Sequence, residues 1–371
     1  MALTQGMVAA PAEVGNVTAR VGVLLERRTL ELARRGLPTY EQLDLYRDIA
    51  LNGGVEVVLF CLDDLDAESR QVRGYIPTQQ GWKRAIVPLP PVVHKRVLFP
   101  PSVERALKRW HGRGILFVNP PMISDKARMH KILLRSRAVA DHLPLTNWFD
   151  PDLLERWLDN GVTVILKPRL GSVGKGVTRL KPVGRLVLAT DEYGTRVFTP
   201  SSLLRRLRNT LGSRTHLLQQ YIPLARYRTR PFDLRVPAQR DAGGRWVVAG
   251  VVAKVAVGHP FLTNLAQGGR ALPAAAVLAE AFSAERATSI LEDVRHLAVE
   301  AAQAVAARFP EAADLGLDIG VDERGKAWVI EVNARDQRIT FLRAGMHDAL
   351  RAVYEQPLRY CAAVAAASGG R

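Results

Sequence analysis

The chain has 371 residues, 47% of them hydrophobic, and a formal net charge of +16, so it is long enough for two or three packed units. Its two cysteines, Cys61 and Cys361, exclude a disulfide framework and a CxxC metal site, and they favour a reducing, cytoplasmic setting. No stretch gives about 18 uninterrupted apolar residues and the N-terminus lacks a secretory pattern, so we expect neither secretion nor a membrane partner.

The first 120 residues alternate between predicted strands and helices. We expect residues 1–18 to be disordered. Apolar runs at 19–25 and 55–61 predict buried strands, and the capping-box spacing of Thr39 and Gln42 predicts the start of a helix between them. This order indicates a parallel, Rossmann-like domain, which we assign to residues 19–120.

Two helices and a strand follow. Ser124 is the predicted N-cap of a helix that carries Lys126 in its first turn. A lysine there opposes the helix dipole, so a local stabilising role for Lys126 is disfavoured. Asp150 and Gly161 delimit the next helix, and an apolar strand then ends in Lys167.

A glycine-rich stretch comes directly after that strand. It consists of Gly171, Ser172, Val173, Gly174, Lys175 and Gly176. Glycines let backbone amides approach phosphate oxygens, and neighbouring lysines add positive charge. The spacing fits neither a Walker A loop nor GxGxxG. A tight hairpin turn is the alternative, although a lysine at the end of the strand favours phosphate binding.

Arginine is concentrated between residues 202 and 240, where nine arginines accompany one acid, Asp233. Such a charge indicates an anionic partner. Nucleic acid is one candidate, but the chain has no zinc-finger spacing and no RNP-like aromatic run. We therefore favour a solvated arginine-rich surface and expect no nucleic-acid partner.

The sequence GLDIGVDERGKAWVIEVN predicts a β-hairpin near the C-terminus. A two-residue turn, Arg324 and Gly325, would place Asp318 opposite Glu331, with Asn333 on the same face. Like charges so placed repel, and a divalent cation would remove the conflict. Two carboxylates and an amide oxygen suit Mg²⁺. An exposed polar face, or neutralisation by arginine, is the alternative.

The order of these motifs resembles the ATP-grasp superfamily, and more closely its YheC/YheD-like, endospore coat-associated branch. The match runs from about Asp125 to Arg338, and the thirteen-residue separation of Asp318 and Glu331 adds specificity. The resemblance implies a mixed α/β and α+β fold, with a Rossmann-like pre-ATP-grasp domain before an ATP-grasp core of two α+β subdomains. We place the core at 121–365, with a lid subdomain at about 161–222 and a metal-binding subdomain at about 223–365.

The resemblance also implies a role for each motif. The residues that would contact the nucleotide are Lys126, Lys167, the loop from Gly171 to Gly176, and the hinge residues Gln219, Gln220, Tyr221 and Ile222. At the first two hinge positions many members have an acid that holds ribose, so that contact departs from the family pattern. Arg235, Lys254 and Asn264 resemble residues at the transfer site, and Asp318, Glu331 and Asn333 resemble the magnesium ligands. Ordinary structural roles are the alternatives, such as surface lysines and a pair between Arg235 and Asp233.

These roles imply an ATP- and Mg²⁺-dependent, ADP-forming ligase that joins a carboxylate to an amine through an acyl phosphate, with Mn²⁺ as an alternative ion. The arginines lead us to expect an anionic carboxylate, such as an acidic amino acid or peptide. Asp336, Gln337 and Arg338 depart from the family's usual continuation, and we expect them to face this acceptor. A phosphotransferase and a nucleotide-binding spore-coat protein with little turnover remain alternatives. Spore association follows from the resemblance alone, and the sequence does not specify an oligomeric state.

Overall fold

The structure is a computed structural model that describes residues 19–66, 68–98, 101–111, 113–119, 125–171, 174–212, 214–265 and 268–369. Three predictions fall outside these ranges: the disorder of residues 1–18, the cap at Ser124, and the loop positions Ser172 and Val173. Among the described residues, no helix is long and apolar enough to cross a membrane.

The first sheet has seven strands: β1 (Ala19–Leu24), β2 (Val55–Phe60), β3 (Leu65–Asp66), β4 (Gln71–Thr78), β5 (Gly81–Pro88), β6 (Val92–Lys95) and β7 (Leu116–Val118). Their order is β3-β4-β2-β1-β6-β7, and β5 pairs with β4. Strand β1 is parallel to β2 and β6, and β6 is parallel to β7, as the alternation of elements predicts. The antiparallel β4–β5 hairpin was not predicted. The helices of this region are α1 (Arg27–Arg34), α2 (Leu43–Gly53) and α3 (Pro101–His111).

Two predicted helices differ from those of the structure. The residue before α2 is Gln42, whose side chain makes no cap bond, and the Thr39 hydroxyl donates to the carbonyl of Glu41 instead. The long helix predicted from residue 124 is two helices, α4 (Lys126–Leu133) and α5 (Arg137–Ala140). The cap of α4 is Asp125, whose carboxylate accepts bonds from the first turn. Lys126 is therefore the first residue of α4.

The second sheet has six strands and is antiparallel throughout: β8 (Thr146–Trp148), β9 (Val164–Pro168), β10 (Thr178–Val183), β11 (Leu186–Asp191), β12 (Gly194–Phe198) and β13 (His216–Gln220). Helices α6 (Pro151–Asp159) and α7 (Pro200–Thr210) pack on it through buried leucines such as Leu154 and Leu203. Asp150 caps α6, as predicted. Because β13 pairs with β9, the hinge lies beside Lys167.

The third sheet has seven strands: β14 (Arg226–Tyr227), β15 (Arg230–Arg240), β16 (Trp246–Val247), β17 (Val252–Val255), β18 (Arg270–Pro273), β19 (Asp314–Val321) and β20 (Ala327–Asn333). Its main order is β18-β17-β15-β19-β20. Helices α8 (Ala274–Ala281) and α9 (Ala284–Ala306) contribute to the same apolar core as this sheet, with Val294 fully buried. Alternation along β15 and β19 therefore leaves Asp233, Arg235 and Asp318 facing away from this core.

The hairpin of β19 and β20 differs from its prediction in two ways that cancel. Its loop has three residues, because Asp322 pairs with Lys326 and the Gly325 amide donates to Asp322. A register shift between Asp318 and Ile319 then absorbs one residue of β20. Asp318 therefore lies opposite Glu331, as predicted.

The C-terminal helices are α10 (Ile339–Arg343) and α11 (His347–Gly369). Helix α11 continues to Gly369, and Cys361 within it is fully buried. Helix α11 contributes to one apolar core with strands of the first sheet, where Tyr354 packs edge-on against Tyr46. The C-terminus thus joins the first sheet to the third.

Candidate functional site

A cleft opens between the second and third sheets. The residues that line it come from the glycine loop, the hinge, the segment 261–264 and the charged face of the third sheet. An adjoining cavity shares Lys126, Lys167 and Glu331 with this cleft, and Arg335 and Gln337 also line it. The two spaces therefore meet at the predicted phosphate lysines.

The two lysines enter the cleft from different elements. Lys126 Nζ lies 2.5 Å from the carbonyl oxygen of Gly171 and 3.3 Å from Glu331 Oε1. Lys167 is buried at the end of β9, and its Nζ donates to Gln219 Oε1 at 2.9 Å. Burial lowers the pKa of Lys167 to about 8, because the charged form loses its hydration.

The hinge residues divide into two roles. Gln219 is buried and orients Lys167, while its amide nitrogen donates to Thr146 Oγ1 at 2.9 Å. Sequence reasoning placed this glutamine among the residues that contact the nucleotide and missed its bond to lysine. The backbone amides of Gln220 and Tyr221 donate to the carbonyl groups of residues 145 and 163, so these two amides are already engaged inside the fold. Gln220, Tyr221 and Ile222 all line the cleft.

The glycine loop has the backbone that its composition predicts. Gly171, Gly174 and Gly176 have φ angles of +119°, +72° and +70°, a region that side chains rarely adopt. Lys175 is exposed beside the cleft. The Gly176 amide donates to Glu192 Oε1 at 3.1 Å. A loop of this kind can turn backbone amides toward an anion.

The transfer-site cations lie side by side because their strands are neighbours. Arg235 on β15 is opposite Asp318 on β19, and Lys254 on β17 is opposite Asp233 on β15. Lys254 Nζ lies 2.6 Å from Asp318 Oδ1, and Arg235 Nε lies 3.5 Å from the same oxygen. The predicted alternative, in which Arg235 pairs with Asp233, is not the arrangement found. All four side chains are buried.

Asn264 lies in a segment whose backbone is held in place by hydrogen bonds to His259. The Nδ1 atom of His259 accepts bonds from the backbone amides of Phe261 and Leu262 at 3.3 and 2.9 Å. This geometry assigns the proton to Nε2, which donates to the carbonyl of Asp191 in the second sheet at 3.2 Å. The segment that carries Asn264 into the cleft is thus tied to β11.

The predicted metal ligands share one side of the third sheet. Asp318 lies opposite Glu331, and Asn333 Nδ2 is 3.4 Å from Asp318 Oδ2. Burial disfavours the charged form of Asp318, but Arg235 and Lys254 outweigh it and hold its pKa below the ordinary value. No group of three or more His, Cys, Asp or Glu with metal-binding geometry occurs in the described part of the chain. Two carboxylates and an amide oxygen nevertheless fit a hard divalent cation that retains water and phosphate ligands.

We expected Asp336, Gln337 and Arg338 to face the acceptor, but the structure places only one of them at the adjoining cavity. Asp336 and Arg338 are buried, and only Gln337 of the three lines the adjoining cavity. Arg338 Nη2 donates to Asp314 Oδ2 at 2.7 Å, and its Nη1 donates to the Tyr46 hydroxyl at 3.1 Å. Arg338 therefore connects the third sheet to the first rather than contacting a substrate.

The arginine-rich stretch does not surround the cleft. None of its nine arginines is among the residues that line the cleft or the adjoining cavity. Arg205 and Arg206 are exposed on α7, whereas Arg228 pairs with Glu280 and Arg240 lies over the ring of Trp246. The clustering in sequence is therefore not a cluster in space.

The chain is 24% identical over 305 residues to the endospore coat-associated protein YheD of Bacillus subtilis, a match that covers 78% of this chain but less than two thirds, 66%, of YheD. It is 22% identical to YheC of the same organism, covering 83% of this chain and 88% of YheC. The D-alanine-D-alanine ligase of Coxiella burnetii shares the fold, with a TM-score of 0.51 and 12% identity over 95% of this chain and 97% of that one. The model of the YheC/D-like ATP-grasp family matches residues 114–364, so the chain belongs to this ATP-grasp family.

Proposed function

We propose that the protein is an ADP-forming ligase that uses ATP and Mg²⁺, or Mn²⁺ in its place, to join a carboxylate to an amine. One observation carries this proposal: Asp318 and Glu331 lie opposite each other in a cleft that three buried or half-buried lysines line. These lysines are Lys126, Lys167 and Lys254, and a fourth cation, Arg235, lies outside the lining but contacts Asp318. Opposed carboxylates surrounded by cations fit a metal-bound triphosphate.

In the proposed reaction an oxygen of the acceptor carboxylate attacks the γ-phosphorus of ATP, and the bond to the β–γ bridging oxygen breaks. Lys126 and Lys167 hold phosphate oxygens, and Arg235 and Lys254 stabilise the charge that spreads over the transferring group. When bound, Mg²⁺ supplies further neutralisation of the phosphates. An amine then attacks the acyl phosphate carbon, inorganic phosphate leaves and the amine loses a proton. This sequence requires no nucleophile from the protein.

We place the acceptor in the adjoining cavity, because it meets the cleft at the phosphate lysines and contains Arg335. We expect an anionic acceptor because Arg335 lines this cavity, and no longer because of the arginine-rich stretch at residues 202–240. A panel of anionic and neutral carboxylates, each with amines, ATP and Mg²⁺, tests this placement by ADP release and product mass. Turnover with neutral carboxylates alone would contradict it.

Hydroxylamine distinguishes the ligase from a phosphotransferase on the same fold. An acyl phosphate yields a hydroxamate with hydroxylamine, whereas a phosphorylated alcohol does not. We expect a hydroxamate that requires ATP, Mg²⁺ and the carboxylate together. ADP formation without hydroxamate, accompanied by a stable phosphorylated product, would contradict the ligase.

Association with spores is a separate proposal that rests on the names of YheC and YheD. A fluorescent fusion expressed during sporulation of a host that forms spores would test it. Fluorescence that stays diffuse in the mother cell throughout coat formation would contradict it.

A further inference from the structure

One oxygen of a predicted metal ligand is already held by two cations. Lys254 Nζ lies 2.6 Å from Asp318 Oδ1, and Arg235 Nε lies 3.5 Å from the same atom. A divalent ion bound to that oxygen would lie close to both positive charges. Coulomb repulsion at such distances is large in a buried site. An ion bound to Oδ1 of Asp318 would therefore require Lys254 and Arg235 to move away from this oxygen.

Each cation has a second carboxylate within reach. Lys254 Nζ lies 3.3 Å from Asp233 Oδ2, and Arg235 Nε lies 3.9 Å from Asp336 Oδ1. Neither acid belongs to the predicted metal ligands. Asp233 is 8% exposed and Asp336 is 1% exposed, so an unpaired charge at either position would be costly.

The pair of Arg235 and Asp336 has unused hydrogen-bonding capacity. Arg235 Nε and Nη1 and both carboxylate oxygens of Asp336 are buried without a hydrogen-bond partner. Gly316 provides the space for this pair, because a Cβ atom there would lie 2.8 Å from Asp336 Oδ1 and 3.0 Å from Arg235 Nη1. Native structures rarely leave such groups unsatisfied, so the arrangement is suited to a second state in which the two side chains approach.

We propose that Asp233 and Asp336 are positioning residues that receive Lys254 and Arg235 from Asp318 when a divalent ion binds. The inference rests on the proposed function, since it takes Asp318 as a ligand of the ion. In the state described here the two cations neutralise Asp318. After ion binding they keep a carboxylate partner each and remain beside the phosphates. Without Asp233 and Asp336, Lys254 and Arg235 would compete with the divalent ion for the carboxylate of Asp318.

Mn²⁺ binding measured by electron paramagnetic resonance, with a non-hydrolysable ATP analogue present, tests this competition without any turnover. We expect Asp336→Asn to weaken Mn²⁺ binding about tenfold, the order of one hydrogen bond to a charged group. Because Arg235 also lies beside the phosphates, Arg235→Met alone sets the reference affinity. Adding Asp336→Asn to Arg235→Met should change that affinity by less than about twofold, because the competing cation is gone.

A purely electrostatic role for Asp336 gives a different result. Arg235→Met would then change Mn²⁺ affinity by the same factor with and without Asp336→Asn, and such additivity would overturn the proposal. Unchanged affinity in folded Asp336→Asn would overturn it as well. The second pair, Asp233→Asn with Lys254→Met, forms an independent cycle that decides the question if Asp336→Asn does not fold. A wild-type protein that binds no Mn²⁺ with the analogue would instead overturn the proposed function itself.

Discussion

At the scale of single residues, Lys167 is buried, yet its proposed role in phosphate binding requires a positive charge. Its pKa is lowered to about 8, so the free protein loses this charge as the pH rises through 8. Bound phosphate would restore the proton. We therefore predict that ATP affinity falls about tenfold between pH 7 and pH 9, with proton uptake on binding at pH 9. Calorimetry in buffers of different ionisation enthalpy measures both quantities.

Lys167→Arg is the matched control, because arginine keeps its charge throughout this range. Its ATP affinity should be nearly constant between pH 7 and pH 9 once the ionisation of ATP is accounted for. An equal pH dependence in the wild type and in Lys167→Arg would show that Lys167 is not the group that titrates.

Glu331 provides a second test at this scale. Its side chain is 31% exposed and contacts Lys126 at 3.3 Å, so it contributes little to folding. Glu331→Gln should lower kcat/KM about a hundredfold or more, the effect of losing a group that stabilises charge during the reaction. The melting temperature should change by only about 2 °C. Glu323→Gln, in the loop of the same hairpin, is the control that should keep full activity.

Side-chain chemistry could be predicted where it depends on neighbours along one hairpin. Asp318, Glu331 and Asn333 emerged from strand alternation, because both strands are adjacent in the sequence. The bond between Lys167 and Gln219 joins residues 52 positions apart. The contact of Asp233 with Lys254 was missed for the same reason, since it depends on which strands become neighbours in the sheet.

At the scale of elements, the β19–β20 hairpin shows how two errors can leave a site intact. The predicted two-residue turn would have kept one register along the whole hairpin. The actual three-residue loop shifts that register by one residue, and the irregularity at Asp318 and Ile319 restores it. Sequence patterns locate a turn more reliably than its length, because loops of two and three residues both accept glycine.

The three-residue loop requires a positive φ angle at Gly325, so a substitution there tests how much this loop contributes to the stability of the hairpin. Its φ is +90°, and a Cβ atom would lie 2.9 Å from Arg286 Nη2 and 3.1 Å from Ile290 Cδ1. Gly325→Ala should cost about 2 kcal/mol of stability, from backbone strain and crowding together. Gly184→Ala, at φ +56° with no atom within 4 Å, should cost less. Urea denaturation compares the two, and an equal or smaller loss for Gly325→Ala would contradict this account.

At the scale of the whole molecule, a buried charge network joins the first sheet to the third. Asp314 Oδ2 lies 3.1 Å from both His94 Nε2 and Arg96 Nη1, and 2.7 Å from Arg338 Nη2. The sequence predicted the parallel first sheet and the order of the later motifs, which depend on local pattern. It did not predict this network, since Arg96 and Asp314 are 218 residues apart. Arg338 was consequently assigned to the acceptor.

The network predicts that Arg338 acts in folding rather than in substrate binding. Arg338→Met would leave Asp314 with His94 and Arg96, but it would remove a fully buried partner and the hydrogen bond to Tyr46. We expect the free energy of unfolding to fall by about 3 kcal/mol, as it does when other buried ion pairs lose one partner. Arg351→Met removes a surface ion pair between Arg351 on α11 and Asp48 on α2. It should lower the free energy of unfolding by about 1 kcal/mol or less. Thermal unfolding compares the two variants, and nucleotide binding by the folded fraction of Arg338→Met should match the wild type. A stable Arg338→Met variant that binds nucleotide like the wild type but has lost carboxylate-dependent ADP release would return this arginine to the acceptor, where the sequence had placed it.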